Sequence, residues 1–475
     1  MRRQLWRYSL LAVSLAIGLF GCGGGGGSSM TPPPAISLSV SPTNPTLHAG
    51  VSQTFTATVN NDPSNKGVTW SVSCSSTSCG WVLPPATASG AATTYILPSV
   101  VPSPSPTVRL TATSMADSSK SVSVSINTVP AAPAFVYTGG FFSGTFSAFT
   151  VDSTTGALTQ MSGSPFSSNG YRLFSFAVDR LSRFLYATSD NSNIALAYRI
   201  DPSSGALTPV SGSPYSVGAY PQSVTVDPTG RFAYVASSNS NNVSAFTIDA
   251  SSGALTAIPG SPFGAGQNPN SVAVDPSGRF AYVGSSLFPA IASFSIDKAT
   301  GALTLMNQPG LPAGVGCDYS STVVDPTDRF VFMLSPCNGV YAFTLDTTTG
   351  TLTLVSGSPF PANCCASGNF RWLAEEPTGR FLYVTDQYDG AIVTLSIDPS
   401  TGALSPILGS PFAGPTHAWS IAIDPSGQFA YVTDENNSIF GFVFDPTTGA
   451  PRAMTGSPFA TGFEPAVVAV AGKAP

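Results

Sequence analysis

Hydrophobic and polar residues alternate in short runs along this chain, the two-residue period of half-buried strands. Between Ile36 and Val129 the runs are ISLSVSP, SQTFTATV, GVTWSVSC, TTYILP, TVRLTATS and KSVSVSIN. Such strands packed into about a hundred residues predict a β-sandwich over 36–129. Trp70 reads as core packing there, and His48 as a loop residue near the second strand. The Pro-rich stretch TVPAAPA reads as a boundary, with the linker at 130–134.

Beyond it one phrase recurs. DPSGRFAYV, Asp275 to Val283, returns as DPTGRFAYV at Asp227, DPTDRFVFM at Asp325, EPTGRFLYV at Glu376 and DPSGQFAYV at Asp424. The pattern F-x-Y/F opens at Phe135, Phe184, Phe232, Phe280, Phe330, Phe381 and Phe429, with spacings of 49, 48, 48, 50, 51 and 48. Each copy holds four strand-like runs, A to D: SVAV, FAYVGSS, IASFSID and GALTLM in one of them. A period near fifty with four strands predicts an all-β fold, a seven-bladed propeller over 135–475 after the N-terminal sandwich.

In DPSG, Asp accepts hydrogen bonds, Pro fixes φ and Gly tolerates the last position, which makes an A–B turn. A second turn, DPSTGAL at Asp398 with relatives at Asp152, Asp201, Asp249, Asp297, Asp346 and Asp445, joins C to D. Arg183, Arg231, Arg279, Arg329 and Arg380 recur beside the first turn; a group repeated in blade after blade reads as structural. The ring starts at a B strand, AFVYTGG, and ends with EPAVVAVAG, which matches an A strand. The C-terminal strand is therefore expected to complete the first blade and remove an open edge.

Turns A–B and C–D share one face of a propeller and barely vary, whereas the D–A and B–C loops on the other face do. The positions leading into strand A are Arg172, Tyr220, Asn268, Asp318, Asn369, His417 and Glu464. Two residues on come Phe174, Gln222, Asn270, Ser320, Arg371, Trp419 and Ala466. They are expected to ring the channel mouth, with Tyr220, Asn268, Asn270, Asp318, Asn369, Trp419 and Glu464 as ligand-binding candidates. The plain alternative is that a wide, wet mouth accepts any polar side chain. Asn268, Asp318, Asn369 and Glu464 offer oxygens suited to calcium. Glu375 replaces the Val of VAVD: a raised pKa would make it a general acid or base, and otherwise it is a glutamate reaching channel solvent.

Composition adds the setting. With 46 Gly, 42 Pro and 9% charged residues, the chain suits turn-rich β structure. Residues 1–22, MRRQLWRYSLLAVSLAIGLFGC, are similar to a bacterial lipoprotein signal, which implies cleavage before Cys22 and lipidation of its sulfur. The alternative is an uncleaved anchor, for which the apolar run is short. Residues 23–35 then form a flexible tether, and the chain faces out of the cytoplasm in the bacterial cell envelope, touching membrane through its lipid alone. Loss of Arg2, Arg3 and Arg7 takes the net charge from -6 to -9, which argues against nucleic acid. In that compartment Cys74 and Cys79 are placed to close a local disulfide. Cys317 with Cys337 is the expected pair in a later region, and Cys364 and Cys365 bond to each other or stay reduced. With 2 His in the chain, no zinc spacing is present.

Two resemblances extend these readings. VTWSV and AGVSQTFTATV resemble bacterial Ig-like domains of surface proteins. The blades, with DPSGRFAYV followed by V-x-x-F-x-I-D-x-x-x-G-A-L, resemble the seven-bladed lactonase family of 6-phosphogluconolactonase-like proteins and fungal carboxymuconate-lactonizing enzymes, over 134–475. That resemblance implies lactone opening or closing in the central pocket, with His, Arg and Glu as catalysts. By blade position, His417 would be the base, Arg172 or Arg371 would meet the oxyanion, and Glu375 would be a further acid or base. The shared motifs are turns, so they specify fold rather than activity. Two functions stay open: a module binding a small molecule, glycan or surface protein at its mouth, and a lactone hydrolase. Scarce His and charge favour binding, and an extracytoplasmic location argues against 6-phosphogluconate chemistry.

Overall fold

The computed structural model describes residues 34–48, 52–74, 79–97, 107–129, 133–286, 291–307, 321–336, 338–361, 370–462 and 464–472. Cys22 with the signal segment, Asp318, Ser320, Asn369, Cys317, Cys337, Cys364 and Cys365 lie outside the described residues. All described elements are strands.

The N-terminal alternation builds two sheets. One orders Ser37–Ser41, Ser52–Asn60, Ala92–Ile96 and Trp81–Leu83; the other orders Thr46–His48, Ser121–Val129, Thr107–Ser114, Val68–Ser73 and Ala86–Thr87. His48, expected in a loop, thus ends a strand. The inward residues of both sheets form one core around Phe55, Trp70, Tyr95 and Leu110. Trp70 is buried because its indole N–H finds an acceptor, the Thr87 hydroxyl at 3.0 Å. A disulfide joins Cys74 and Cys79.

Seven further sheets follow, each an antiparallel A-B-C-D meander. The fourth blade, for example, runs Pro269–Val274, Phe280–Ser285, Ile291–Ile296 and Leu303–Asn307. The first blade takes B, C and D from Pro133–Gly140, Thr145–Val151 and Leu158–Gln160, and its innermost strand from Pro465–Gly472. Strand B begins at Pro133, inside the expected linker.

The recurrent charges do structural work, which explains their monotony. Asp227 Oδ1 accepts the backbone N–H of Arg231 and of Phe232, both at 2.7 Å, and so fixes the A–B turn. The Arg231 side chain lies over the Phe232 ring at 4.9 Å and donates at 2.9 Å to the Lys298 carbonyl, in the C–D turn of the next blade. Beneath it the Tyr234 hydroxyl donates at 3.0 Å to the carbonyl of Gly301 in that same turn. Gly301 sits at φ +76, where a Cβ would stand 2.4 Å from the Phe232 ring, so the turn demands glycine. Around the ring these contacts place apolar cores between blades, and Tyr431 closes the circle by donating at 2.7 Å to Gly156 of the first blade.

Candidate functional site

A cavity of about 340 Å³ occupies the channel. Apolar residues such as Val272, Val324 and Leu373 line its wall, and Gln222, Asn270, Thr322, Arg371 and Trp419 supply polar atoms. Local geometry fixes several mouth residues. Tyr220, Asn268 and Glu464 adopt left-handed φ of 59, 55 and 48. Their backbone N–H groups donate to the side-chain oxygens of Asn193, Asn241 and Asn437 at 3.0, 2.8 and 2.9 Å. Those asparagines sit in the preceding B–C turn and are themselves left-handed, as Asn tolerates.

The mouth is chemically lopsided. Blades three and four contribute uncharged groups; Gln222 is buried, and its side-chain N–H₂ has no protein acceptor. Among the described residues the opposite arc carries the charges. Arg371 stacks on Trp419 at 4.8 Å and donates through Nε to Gln387 at 2.5 Å. Gln387 in turn donates to Glu435 at 3.2 Å. Burial pushes the Glu435 carboxyl up, against the lowering pull of Gln387, Arg371 and His417, while Glu464 pushes it up further. Farther round, Arg172 pairs with Asp190 at 3.2 Å and lies over Phe141 at 3.9 Å. Phe141 packs 5.8 Å from Trp419, so the two arginines flank a pair of aromatic rings.

Of the four expected catalytic groups Arg371 lines the cavity; Arg172, His417 and Glu375 do not. His417 is on the exposed rim rather than among the residues lining the cavity. Its Nδ1 takes a hydrogen bond from the Asn436 side chain at 2.8 Å, which leaves the proton of the neutral ring on Nε2. Glu375 lies at the opposite end of strand A, Phe370–Glu375, about 13 Å along the chain from Arg371. Its carboxyl oxygens are buried even though its stem is partly exposed, and burial beside Asp325 and Glu376 pushes its pKa well up. Among the described residues no group of three or more His, Cys, Asp or Glu is arranged to hold a metal. Of the calcium candidates, Asn268 donates through its side-chain N–H₂ to the Ser286 hydroxyl at 2.5 Å.

Asp190, Gln387, Glu435 and Phe141 were not singled out from sequence. Each stands six residues after the phenylalanine that opens its B strand, so comparing B–C loops blade by blade would have found them.

Fold and mouth define the class: an all-β, seven-bladed propeller with a mixed apolar and polar pocket on its axis. The chain belongs to the lactonase family of seven-bladed β-propellers, which matches residues 131–262, 223–326 and 333–435. A candidate 6-phosphogluconolactonase from Bacteroides uniformis superposes with a TM-score of 0.62 at 18% identity, over 71% of this chain and 99% of that one. The periplasmic gluconolactonase of Pseudomonas aeruginosa does so with 0.59 at 19%, over 72% and 99%. At such identities the likeness is one of fold. No curated protein matches the sequence.

Proposed function

We propose that the propeller is a lactonase that opens a sugar or organic-acid lactone in the axial cavity. One observation carries this reading: Arg371 lines the cavity while its side chain is held, through Gln387, against a carboxylate of raised proton affinity, Glu435. In the reaction, water adds its oxygen to the carbonyl carbon as Glu435, which stands at the mouth just outside the cavity lining, takes one of its protons. The carbonyl oxygen becomes an oxyanion beside the Arg371 guanidinium, which in a partly dry pocket stabilises it more than water would. Collapse breaks the bond to the ring oxygen, which takes the proton back from Glu435 and leaves a hydroxy acid.

The test is hydrolysis of a panel of aliphatic and sugar lactones by the full chain, with calcium and with chelator. Turnover above buffer that falls by about a hundredfold in Arg371→Ala, with unchanged melting, is the expected result. No turnover on any lactone would sink it. A second reading, ligand binding without chemistry, draws on the rim, where Tyr220 is 40% exposed and His417 is open to solvent.

The setting belongs to the same proposal. Residues 1–22 support a lipid anchor at Cys22 in the bacterial envelope, and the two sheets packed around Trp70 support an Ig-like spacer that carries the ring. Fatty-acid labelling that persists in Cys22→Ser would rule the anchor out.

A further inference from the structure

We propose that the mouth holds a second, outer subsite for carbohydrate, so that the lactone acted on is the end ring of a longer sugar; this rests on the lactonase reading above. The cavity, about 340 Å³, is near the small end of ligand pockets, which run from roughly 300 to 1,000 Å³. It has room for about one ring. An aromatic track leads out of it. Trp419 lines the cavity, Phe141 packs 5.8 Å from it, and Phe142 meets Phe141 edge-on at 4.7 Å. Phe142 is 70% exposed at the rim.

The rest of the surface makes this pattern specific. Among the described residues the exposed large aromatics are Phe142, Tyr220 and Tyr388, and all three are on the mouth face, in B–C turns or just before strand A. Three of the five sister B–C turns place Asn191, Asn239 and Asn436 where the first and sixth blades have Phe142 and Tyr388; the other two carry Leu287 and Cys337. The fold therefore accepts a small polar residue there, and an exposed aromatic that packing does not require points to a partner. Flat apolar rings flanked by polar groups, here Arg172 over Phe141 and Phe142 and Arg371 over Trp419, match a sugar, whose C–H faces are bordered by hydroxyls. Arg172, the cation beside Phe141 and Phe142, is paired with Asp190, so the outer end of the track does not select for an acidic ligand.

The experiment compares kcat/KM of the full chain on gluconolactone and on a disaccharide aldonolactone, in wild type and in Phe142→Asn. Wild type should prefer the two-ring substrate by roughly fivefold or more, the worth of one aromatic contact, and the variant should lose that preference while opening the single ring normally. Equal rates in wild type, or a preference that survives in Phe142→Asn, would overturn the outer subsite. Should neither lactone be opened, titration calorimetry with cello- and maltotetraose decides. Binding weakened by Phe142→Asn upholds the subsite while the lactonase reading falls, and absence of binding overturns the subsite too.

Discussion

At the scale of single residues, the division of labour between His417 and Glu435 is set by what already occupies their polar atoms. The Asn436 side chain occupies His417 Nδ1 at 2.8 Å, and the ring stands on the exposed rim outside the cavity lining. His417→Ala should therefore keep most of kcat/KM, losing far less than the roughly hundredfold or more expected of a general base. Glu435 differs, because burial raises its pKa and hence its strength as a base. A base must be deprotonated to act, so kcat/KM should climb with pH through a midpoint above the ordinary glutamate range. In Glu435→Gln that limb should vanish, with a loss of about a hundredfold; an unchanged profile would remove Glu435 from the mechanism.

At the scale of strands and turns, the blades act as controls for one another. In most of them a strand-B tyrosine donates to the glycine carbonyl of the next C–D turn, as Tyr383 does to Gly449 at 2.9 Å. The fifth blade has Phe332 at that place and forgoes the bond to Gly402. Phe332→Tyr should restore it and raise stability by about 1 kcal/mol, read as a higher denaturant midpoint; a decrease would mean that the seam has no room for a hydroxyl. Repetition also explains what could be read in advance. Seven copies of F-x-Y/F, two turn motifs and a strand-A sequence at the C-terminus were enough for blade number and ring closure, because nearly every copy repeats one local hydrogen-bond pattern. The site is the part that does not repeat. Strand A places Arg371 and Trp419, expected to ring the mouth, on the cavity. That Gln387 is bound to Glu435, and that Phe141 packs on Trp419, depends on contacts between different blades, to which a two-residue period is blind. Glu375 was conspicuous as a charge among valines, yet the same alternation that flagged it puts it at the far end of its strand.

For the whole molecule, the ring is only as stable as its weakest seam, and two seams carry carboxyls their sisters lack. Glu375 replaces a valine and faces Asp325, Glu376 and Arg329; Asp328 replaces a turn glycine, at φ 64, and faces Asp275, Asp325 and Arg279. Burial, then neighbouring acids, push Asp328 up to about 7 and Glu375 upward as well. The folded ring therefore holds these protons more tightly than the unfolded chain, whose carboxyls titrate near ~4. Their stabilising contribution is complete below that range and is lost as pH rises through the folded values, the opposite of a salt-bridged acid. Melting temperature should thus decline from about pH 4 to pH 7 and a little beyond. The double variant Glu375→Val, Asp328→Gly gives both seams the residues of their sisters and should flatten the decline, gaining roughly 4 °C or more at the alkaline end. A decline of the same slope in the variant would show that the seams are not where the ring senses pH. Because both carboxyls sit on the turn face, away from the mouth, the substitution should leave the kcat/KM profile set by Glu435 in place, which separates stability from catalysis in one titration.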